Sequence, residues 1–513
     1  MNWKSISSNL GSTLQRVKDA AEDAAKAVEH EAAKVGAKAA EFLPLQAALP
    51  QLADKIDHFF EAHAGHDFPR ELTVPMPTAH AALSAAPVSV VPKDGLALTG
   101  SNPTASFGVH LDQTGEAQLD LTAAGPGTDW GKKGAESAVM SVYVDGKYQQ
   151  DLVLWGGAKA QGYGVALGEL PKGDHTVTLR YADEKSTGGA KGVSVSAGTA
   201  STVSYPSKED AWAAQNAPVL VGRHGGLENN HDDTPLGMFH RISQGKDGST
   251  TISYGYAFSN EDTGDGGQPA LEQARWGRLT DLETVFKVTV DANGQVLSRQ
   301  YEGAGHHWHP FAGKFDGSHA VIRTATDNNN VTDQGDGPLR FRFPTDNRVG
   351  DFPSEDLMRR HPEWFAAEGK ELLREGKIDP AGRGDAPLTG KAKQLQTNLA
   401  ALGIVPKAQM ADPRNYLYVQ LDAKGADQDP LVARVTLKSG ETFDSNLGVA
   451  EAAINRNGWS QTSVRLPPGT TKDDIAQVSF VSNGTAQVNR VGNVYLLDGE
   501  YQPVALPASA VQR

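Results

Sequence analysis

Ser141-Val142-Tyr143-Val144-Asp145-Gly146-Lys147-Tyr148 sets strand-like residues on either side of an Asp-Gly pair. An Asp-Gly turn takes left-handed backbone at both central positions and matches the twist of two antiparallel strands, so the stretch predicts a hairpin. The same apolar–polar alternation recurs on both sides of it. Ser89-Val90-Val91, Ala105-Ser106-Phe107-Gly108-Val109, Ala117-Gln118-Leu119-Asp120-Leu121 and His175-Thr176-Val177-Thr178-Leu179 all carry it. Residues 86–203 are therefore expected to form one β-sandwich module.

Further out, the pattern changes. Leu10, Leu14, Val17, Ala21, Ala24, Val28, Ala32, Val35, Ala39 and Phe42 fall at near-heptad spacing, and a second helical pattern runs from Leu49 to Phe60. Residues 1–66 read as a helical arm, either a hairpin that packs on the body or pairs with another copy, or a reversible membrane anchor. The Pro- and Ala-rich residues 67–85 read as a linker. Residues 205–350 form a second β-rich block, with strands expected at Thr251–Phe258, Leu282–Val290, Val296–Tyr301 and Ala320–Ala325. Residues 351–410 read as a helical connector, 411–505 as a C-terminal β-sandwich and 506–513 as a tail. The expected fold class is mainly β: multidomain sandwiches with an N-terminal helical arm and a short helical connector.

Composition narrows the function. The chain has 513 residues, 48 Lys and Arg against 62 Asp and Glu, a net charge of −14 and no Cys. That length suggests about three or four domains. Without Cys there is no disulfide scaffold, thiol nucleophile or thiolate metal site. The acid excess argues against a nucleic-acid partner, whose phosphates need a surplus of Lys and Arg. The mean hydropathy of −0.43 and the lack of an apolar run predict no transmembrane segment. Met1-Asn2-Trp3-Lys4 opens no secretory leader. The expectation is an extracellular or cell-surface protein exported by a non-classical route, with a cytosolic one as the alternative.

The chemistry concentrates between Arg223 and Asp336. Asp281-x-Glu283 opens an expected strand, so alternation would set both carboxylates and Val285 on one face, about 7 Å apart. Such a pair can chelate a cation or act as acid and base. Gly305-His306-His307-Trp308-His309-Pro310 would then set His307 and His309 on one face. Asp281, Glu283, His306, His307 and His309 are the candidate catalytic residues. Asp281, Glu283, Asp232 and Asp233 are the candidate metal ligands, and their oxygen donors favour Ca²⁺ or Mg²⁺ over Zn²⁺. Arg223, His224, Trp276, Arg278, Trp308 and Asn328 are candidate substrate contacts. Trp130, Tyr143, Tyr148, Trp155 and Tyr163 either stack on sugar faces or belong to the core. The phosphate-loop, His-Glu-x-x-His and dinucleotide templates are absent, as is a serine-hydrolase elbow. Asp327-Asn328-Asn329-Asn330 lacks the terminal Glu of an EF-hand.

Two resemblances add to this reading. Leu170-Pro171-Lys172-Gly173-Asp174-His175-Thr176-Val177 resembles the turn-and-strand of many carbohydrate-binding sandwich modules. Residues 216–333 resemble the β-sandwich superfamily of vacuolar-sorting-associated and necrosis-inducing proteins. The match is in the order of segments: Ala217-Pro218-Val219, Ile252-Ser253-Tyr254-Gly255-Tyr256, Asp281-Leu282-Glu283, His306 to His309, and Ser318-His319. Where the family carries Gly-His-Arg-His-Asp-Trp-Glu, this chain has Gly277-Arg278-Leu279-Thr280-Asp281-Leu282-Glu283. The family's cation-binding carboxylates carry over to Asp281 and Glu283; its two histidines and its Trp do not. The resemblance implies a cation site facing a glycan or a lipid headgroup.

The expectation is a hydrolase of a polysaccharide or glycoconjugate with a carboxylate/His site and a divalent cation. The alternative is a non-catalytic, cation-dependent glycan- or glycolipid-binding surface protein. The helical arm offers a route to homo-oligomers or to peripheral membrane contact.

Overall fold

The computed structural model describes residues 68–223, 230–261, 268–326, 328–350, 354–379, 381, 382, 384 and 409–511. The expected helical arm lies outside them, as does His224. Among the described residues no helix is long and apolar enough to cross a membrane.

The protein is mainly β, with several sheets. Its first ten strands are β1 (His80–Ala82), β2 (Val88–Ser89), β3 (Leu96–Leu98), β4 (Thr104–Leu111), β5 (Gly115–Ala124), β6 (Val139–Val144), β7 (Lys147–Val153), β8 (Gln161–Leu170), β9 (Gly173–Tyr181) and β10 (Val193–Thr202). One sheet has the order β1-β4-β9-β6-β7. The other has the order β2-β10-β5-β8, with β3 also on β10. Along β5, Ala117, Leu119, Leu121 and Ala123 are buried and the residues between them are more open, the period-two burial of a sandwich strand. Asp145 and Gly146 join β6 to β7 with φ of 50° and 78°, the left-handed pair that an Asp-Gly turn supplies.

The stretch expected to be a linker instead runs along this sandwich. β1 pairs in parallel with β4, and the Leu72 N–H donates to Gly146 O at 2.7 Å. Of the aromatics offered as sugar platforms, Trp130, Tyr143, Trp155 and Tyr163 are core residues, and only Tyr148 is half-buried.

The next set begins with helix α1 (Lys208–Asn216), capped by Ser207, and β11 (Val219–Val221). Then come β12 (Pro235–Gln244), β13 (Thr250–Phe258), helix α2 (Pro269–Trp276), β14 (Asp281–Val290), β15 (Val296–Gly303) and β16 (His307–Pro310). β12 to β16 form one sheet in chain order. β17 (Phe315–Asp316), β18 (His319–Thr324), β19 (Val331–Thr332) and β20 (Arg340–Phe341) join β11 in a second. Tyr254 and Tyr256 tie the first of these sheets to the α1–β11 segment. Their buried hydroxyls donate to Ala213 O at 2.8 Å and Pro218 O at 2.9 Å, so neither polar group is stranded.

Helices α3 (Asp356–Arg360) and α4 (Pro362–Arg374) follow. α4 is more than a connector. Its Trp364 packs against Gly237, where a Cβ would meet the indole at 2.7 Å. Its Glu368 accepts from Leu279 N, Thr280 N and Thr280 Oγ1 at 3.0, 2.6 and 2.7 Å.

The last set comprises β21 (Tyr416–Lys424), β22 (Val432–Leu437), β23 (Thr442–Asp444), β24 (Gly458–Arg465), β25 (Ile475–Val481), β26 (Gln487–Leu497) and β27 (Pro503–Ala505). Its sheets have the orders β24-β21-β26-β27 and β23-β22-β25. β21 is buried on both faces. Leu417, Val419 and Leu421 enter the core of this sandwich, whereas Tyr416 and Tyr418 join the larger core. There Tyr418 meets Phe365 of α4, ring centroids 5.0 Å apart.

Candidate active site

β14 and β15 bring the principal acidic site together. The register of β14 slips by one residue opposite β13: Tyr254 faces Phe286, but Gly255 faces Thr284. The extra residue is Val285, and both Val285 and Phe286 are fully buried. Asp281 to Thr284 pair in unbroken register with Phe258 to Gly255, so the bulge changes facing only from Val285 onward. The two carboxylates differ in the partners they meet. Asp281 is buried and accepts from Asn329 Nδ2 at 3.0 Å. Asn329 has a φ of +52°, a backbone that Asn tolerates better than most residues.

Glu283 instead meets Glu302 of β15 and His306. His306 Nδ1 lies 3.0 Å from Glu283 Oε1 and 3.6 Å from Glu302 Oε1. One donor atom from each of the three falls within 4.8 Å of the others. Both carboxyls sit deep, with side chains 17% and 12% exposed, while the imidazole is 53% exposed and forms the open side. His306 does not lie in the expected extended run. It ends a 3-10 turn at a φ of +61°, after Gly305 at +72°, and β16 begins one residue later. That left-handed turn aims the ring back at Glu283. Asn328 Nδ2 faces the other ring nitrogen, Nε2, at 3.5 Å. In the tautomer that accepts from Asn328, the imidazole proton sits on Nδ1 and points at Glu283.

The electrostatics follow from this placement. Burial, together with the charges of Glu302 and Glu261, pushes the Glu283 carboxyl up to about 8 against the opposing pull of Arg278. Burial also raises Glu302, although His306 and Lys287 pull it down. Arg278 is buried, bonds Glu261 at 3.3 Å and donates to Thr280 O. Glu261, Glu355, Asp281 and Glu283 together hold its guanidinium charged despite burial. Trp308 faces Glu302 directly across the β15–β16 ladder, and Lys287 Nζ lies 3.4 Å from its ring centroid. Burial lowers Lys287.

Other expected site residues lie elsewhere. His307 is exposed on β16, and His309 stacks on Tyr301 at 5.3 Å, so the three histidines do not converge on one centre. Trp276 has Arg456 over its ring at 4.0 Å. The Arg223 carbonyl accepts from Asn230 Nδ2 at 2.7 Å.

Asp232 belongs to a second group, with Glu371 and Glu375. Arg374 sits inside that group, bonded to Asp232 and, at 2.9 Å, to Glu371, and it also donates to Trp130 O. Lys377 pairs with Glu375 at 2.9 Å. Burial and the Glu371 carboxylate raise Asp232. The guanidinium already supplies the positive charge a metal would bring, so this group reads as an ionic joint between elements. Asp233, the other expected ligand, donates its N–H to Glu371 Oε1 at 2.8 Å. Neither aspartate joins Glu283. Glu302 is not evident in the sequence because only the β14–β15–β16 register brings it to Glu283.

No family model matches the sequence, and no curated protein matches it. Similar solved structures include the CBM36-1 domain of a multidomain xylanase from the hindgut metagenome of Trinervitermes trinervoides. It is 14% identical, over 24% of this chain and 92% of that one, with a TM-score of 0.18. A family 35 carbohydrate binding module from Clostridium thermocellum is 15% identical over 23% of this chain and all of its own, with a TM-score of 0.17. A ruminal GH26 endo-beta-1,4-mannanase is 13% identical over 28% of this chain and 30% of its own, also with a TM-score of 0.17.

Proposed function

We propose that the protein hydrolyses glycosidic bonds in a polysaccharide or glycoconjugate at the centre formed by Glu283, Glu302 and His306. The supporting observation is the unequal carboxyl pair. Glu283, held up to about 8 by burial and by its neighbours, stays protonated at neutral pH and can donate to a leaving-group oxygen. Glu302, which burial also raises but His306 and Lys287 pull back down, is the partner carboxylate that stabilises or attacks the anomeric carbon. A short separation between the carboxyls suits double displacement better than direct attack by water. Glu283, deprotonated when it donates to the leaving group, then takes a proton from the water that hydrolyses the glycosyl–Glu302 bond and is restored. His306, facing both carboxyls, orients them. Trp308, opposite Glu302, offers an apolar face to a sugar ring.

A second reading is favoured by the donor set: two carboxylates and an imidazole within 4.8 Å suit a divalent cation. An imidazole among the donors fits Zn²⁺ or Mn²⁺ better than the Ca²⁺ or Mg²⁺ expected from oxygen ligands alone. The protein is then a cation-dependent glycan binder.

Product analysis on a panel of polysaccharides and glycoconjugates, with metal content measured on the same preparations, separates the two. Hydrolysis predicts products that fall about a hundredfold or more in Glu283→Gln and Glu302→Gln while polymer binding persists. A co-purifying ion that is lost in Glu283→Gln, together with binding and no products, establishes the second reading. No products and no ion removes both.

A further inference from the structure

A cleft of about 690 Å³ opens between the first sandwich and the β11–β20 set, apart from the acidic centre. Glu116, Glu169 and Gln149 line it from the sandwich; Asn216, Arg299, Asp316 and Arg342 line it from the opposite wall. We propose that this cleft is a binding site for a neutral, hydroxyl-rich ligand of mono- or disaccharide size.

Three observations carry this. The first is size, which falls in the range of small-molecule sites. The second is fixed orientation. Arg342, only 10% exposed, is held between Asp316 at 3.8 Å and Gln149 Oε1 at 3.4 Å. Arg299 donates to Asn216 Oδ1 at 3.2 Å, and its guanidinium lies 5.0 Å from the Phe315 ring. Guanidiniums held in this way present planar donor forks rather than mobile charges. The third is mixed sign. Three carboxylates and two guanidiniums share the lining, so an anion meets the former and a cation the latter. A polyol with neighbouring hydroxyls meets both as partners, donating to Glu116 and Glu169 and accepting from Arg299 and Arg342. Glu116 supports this choice: burial lifts its carboxyl, with Glu169 adding to the lift and Arg342 opposing it, which lowers its appetite for a cation.

The cleft shares no residue with the Glu283 centre, so the inference does not rest on hydrolysis there. Saturation-transfer NMR on the full chain with D-glucose, D-galactose, D-mannose, D-xylose and D-glucuronate at millimolar concentration tests it. At least one neutral sugar is expected to bind. Gln215→Trp fills the cleft from an exposed position on α1 and is expected to abolish that binding. Glu169→Ala, also at an exposed position, is expected to weaken it at least about tenfold. Glu283→Gln is expected to leave it unchanged. Absence of neutral-sugar binding, preference for glucuronate, or binding that survives both cleft variants with the fold intact by circular dichroism overturns the proposal. If Glu283→Gln alone abolishes binding, the sugar belongs to the acidic centre and the cleft assignment falls.

Discussion

Glu283 couples the candidate chemistry to stability. Its carboxyl is raised to about 8 in the folded protein from an ordinary value near 4.5. The folded state therefore holds a proton that the unfolded chain releases as pH rises through the ordinary carboxylate range. Its stabilising contribution is complete at low pH and is lost as pH climbs towards 8. A tenfold difference in proton affinity between the folded and unfolded chain is worth about 1.4 kcal/mol, so even a fraction of this effect is measurable. Thermal midpoints between pH 5 and 9 should fall across this window in the wild type and stay flatter in Glu283→Gln, which mimics the protonated form. An equally steep fall in the variant would assign the loss to other groups. Asp281 and Glu283 are visible in the sequence because Asp-x-Glu opens an apolar strand. Their partners are not, because Asn329 reaches Asp281, and Glu302 and His306 reach Glu283, only through the fold. His306 is legible as a residue type, but its left-handed turn is not.

Elements whose signals are local are the most legible. The Asp145-Gly146 turn is written in two residues, and Gly146→Ala is expected to destabilise the first sandwich by more than about 1–2 kcal/mol, because φ there is +78° and a Cβ would run into Leu72 O. Chemical-denaturation midpoints would show it. α4 is the contrary case. Its apolar spacing identifies a helix, but nothing local says that Glu368 points inward to hold the backbone just before β14. Glu368→Ala would strand the N–H groups of Leu279 and Thr280 and the Thr280 hydroxyl. A loss of roughly 2–4 kcal/mol is expected, with a smaller loss for Glu368→Gln, which keeps an acceptor oxygen. Equal losses in the two variants would mean that volume matters there rather than the hydrogen bonds. Likewise, Tyr416-Leu417-Tyr418-Val419 reads as a strand with one polar-tipped face, yet that face packs on α4, a partner distant in the chain.

At the scale of the molecule, the joints between sets of strands are polar and specific. In β7, Gln150 and Asp151 are buried and accept from Arg342 N and Arg340 N, each at 3.2 Å, which joins the first sandwich to β20. In β24, Thr462 and Ser463 donate to the carbonyls of Ala274 and Gln273 at the end of α2, at 2.6 and 2.7 Å. A chain ending at residue 350 keeps the sheet that carries Glu283 and Glu302 but loses Trp364, Glu368 and Glu371. It is expected to give poorly dispersed NMR spectra and early proteolysis in 230–310, whereas a chain ending at 205 should stay protected. Dispersed spectra from the longer fragment would show that the helices are dispensable. Glu368 also sets a schedule for synthesis. The carboxylate that satisfies Thr280 N lies 88 residues further along the chain. At roughly 5–20 residues per second, a ribosome delivers it about 4–18 s after Thr280 itself. For those seconds the nascent β14 edge has water in place of its final acceptor, a window in which a chaperone can bind and the acidic centre is not yet assembled.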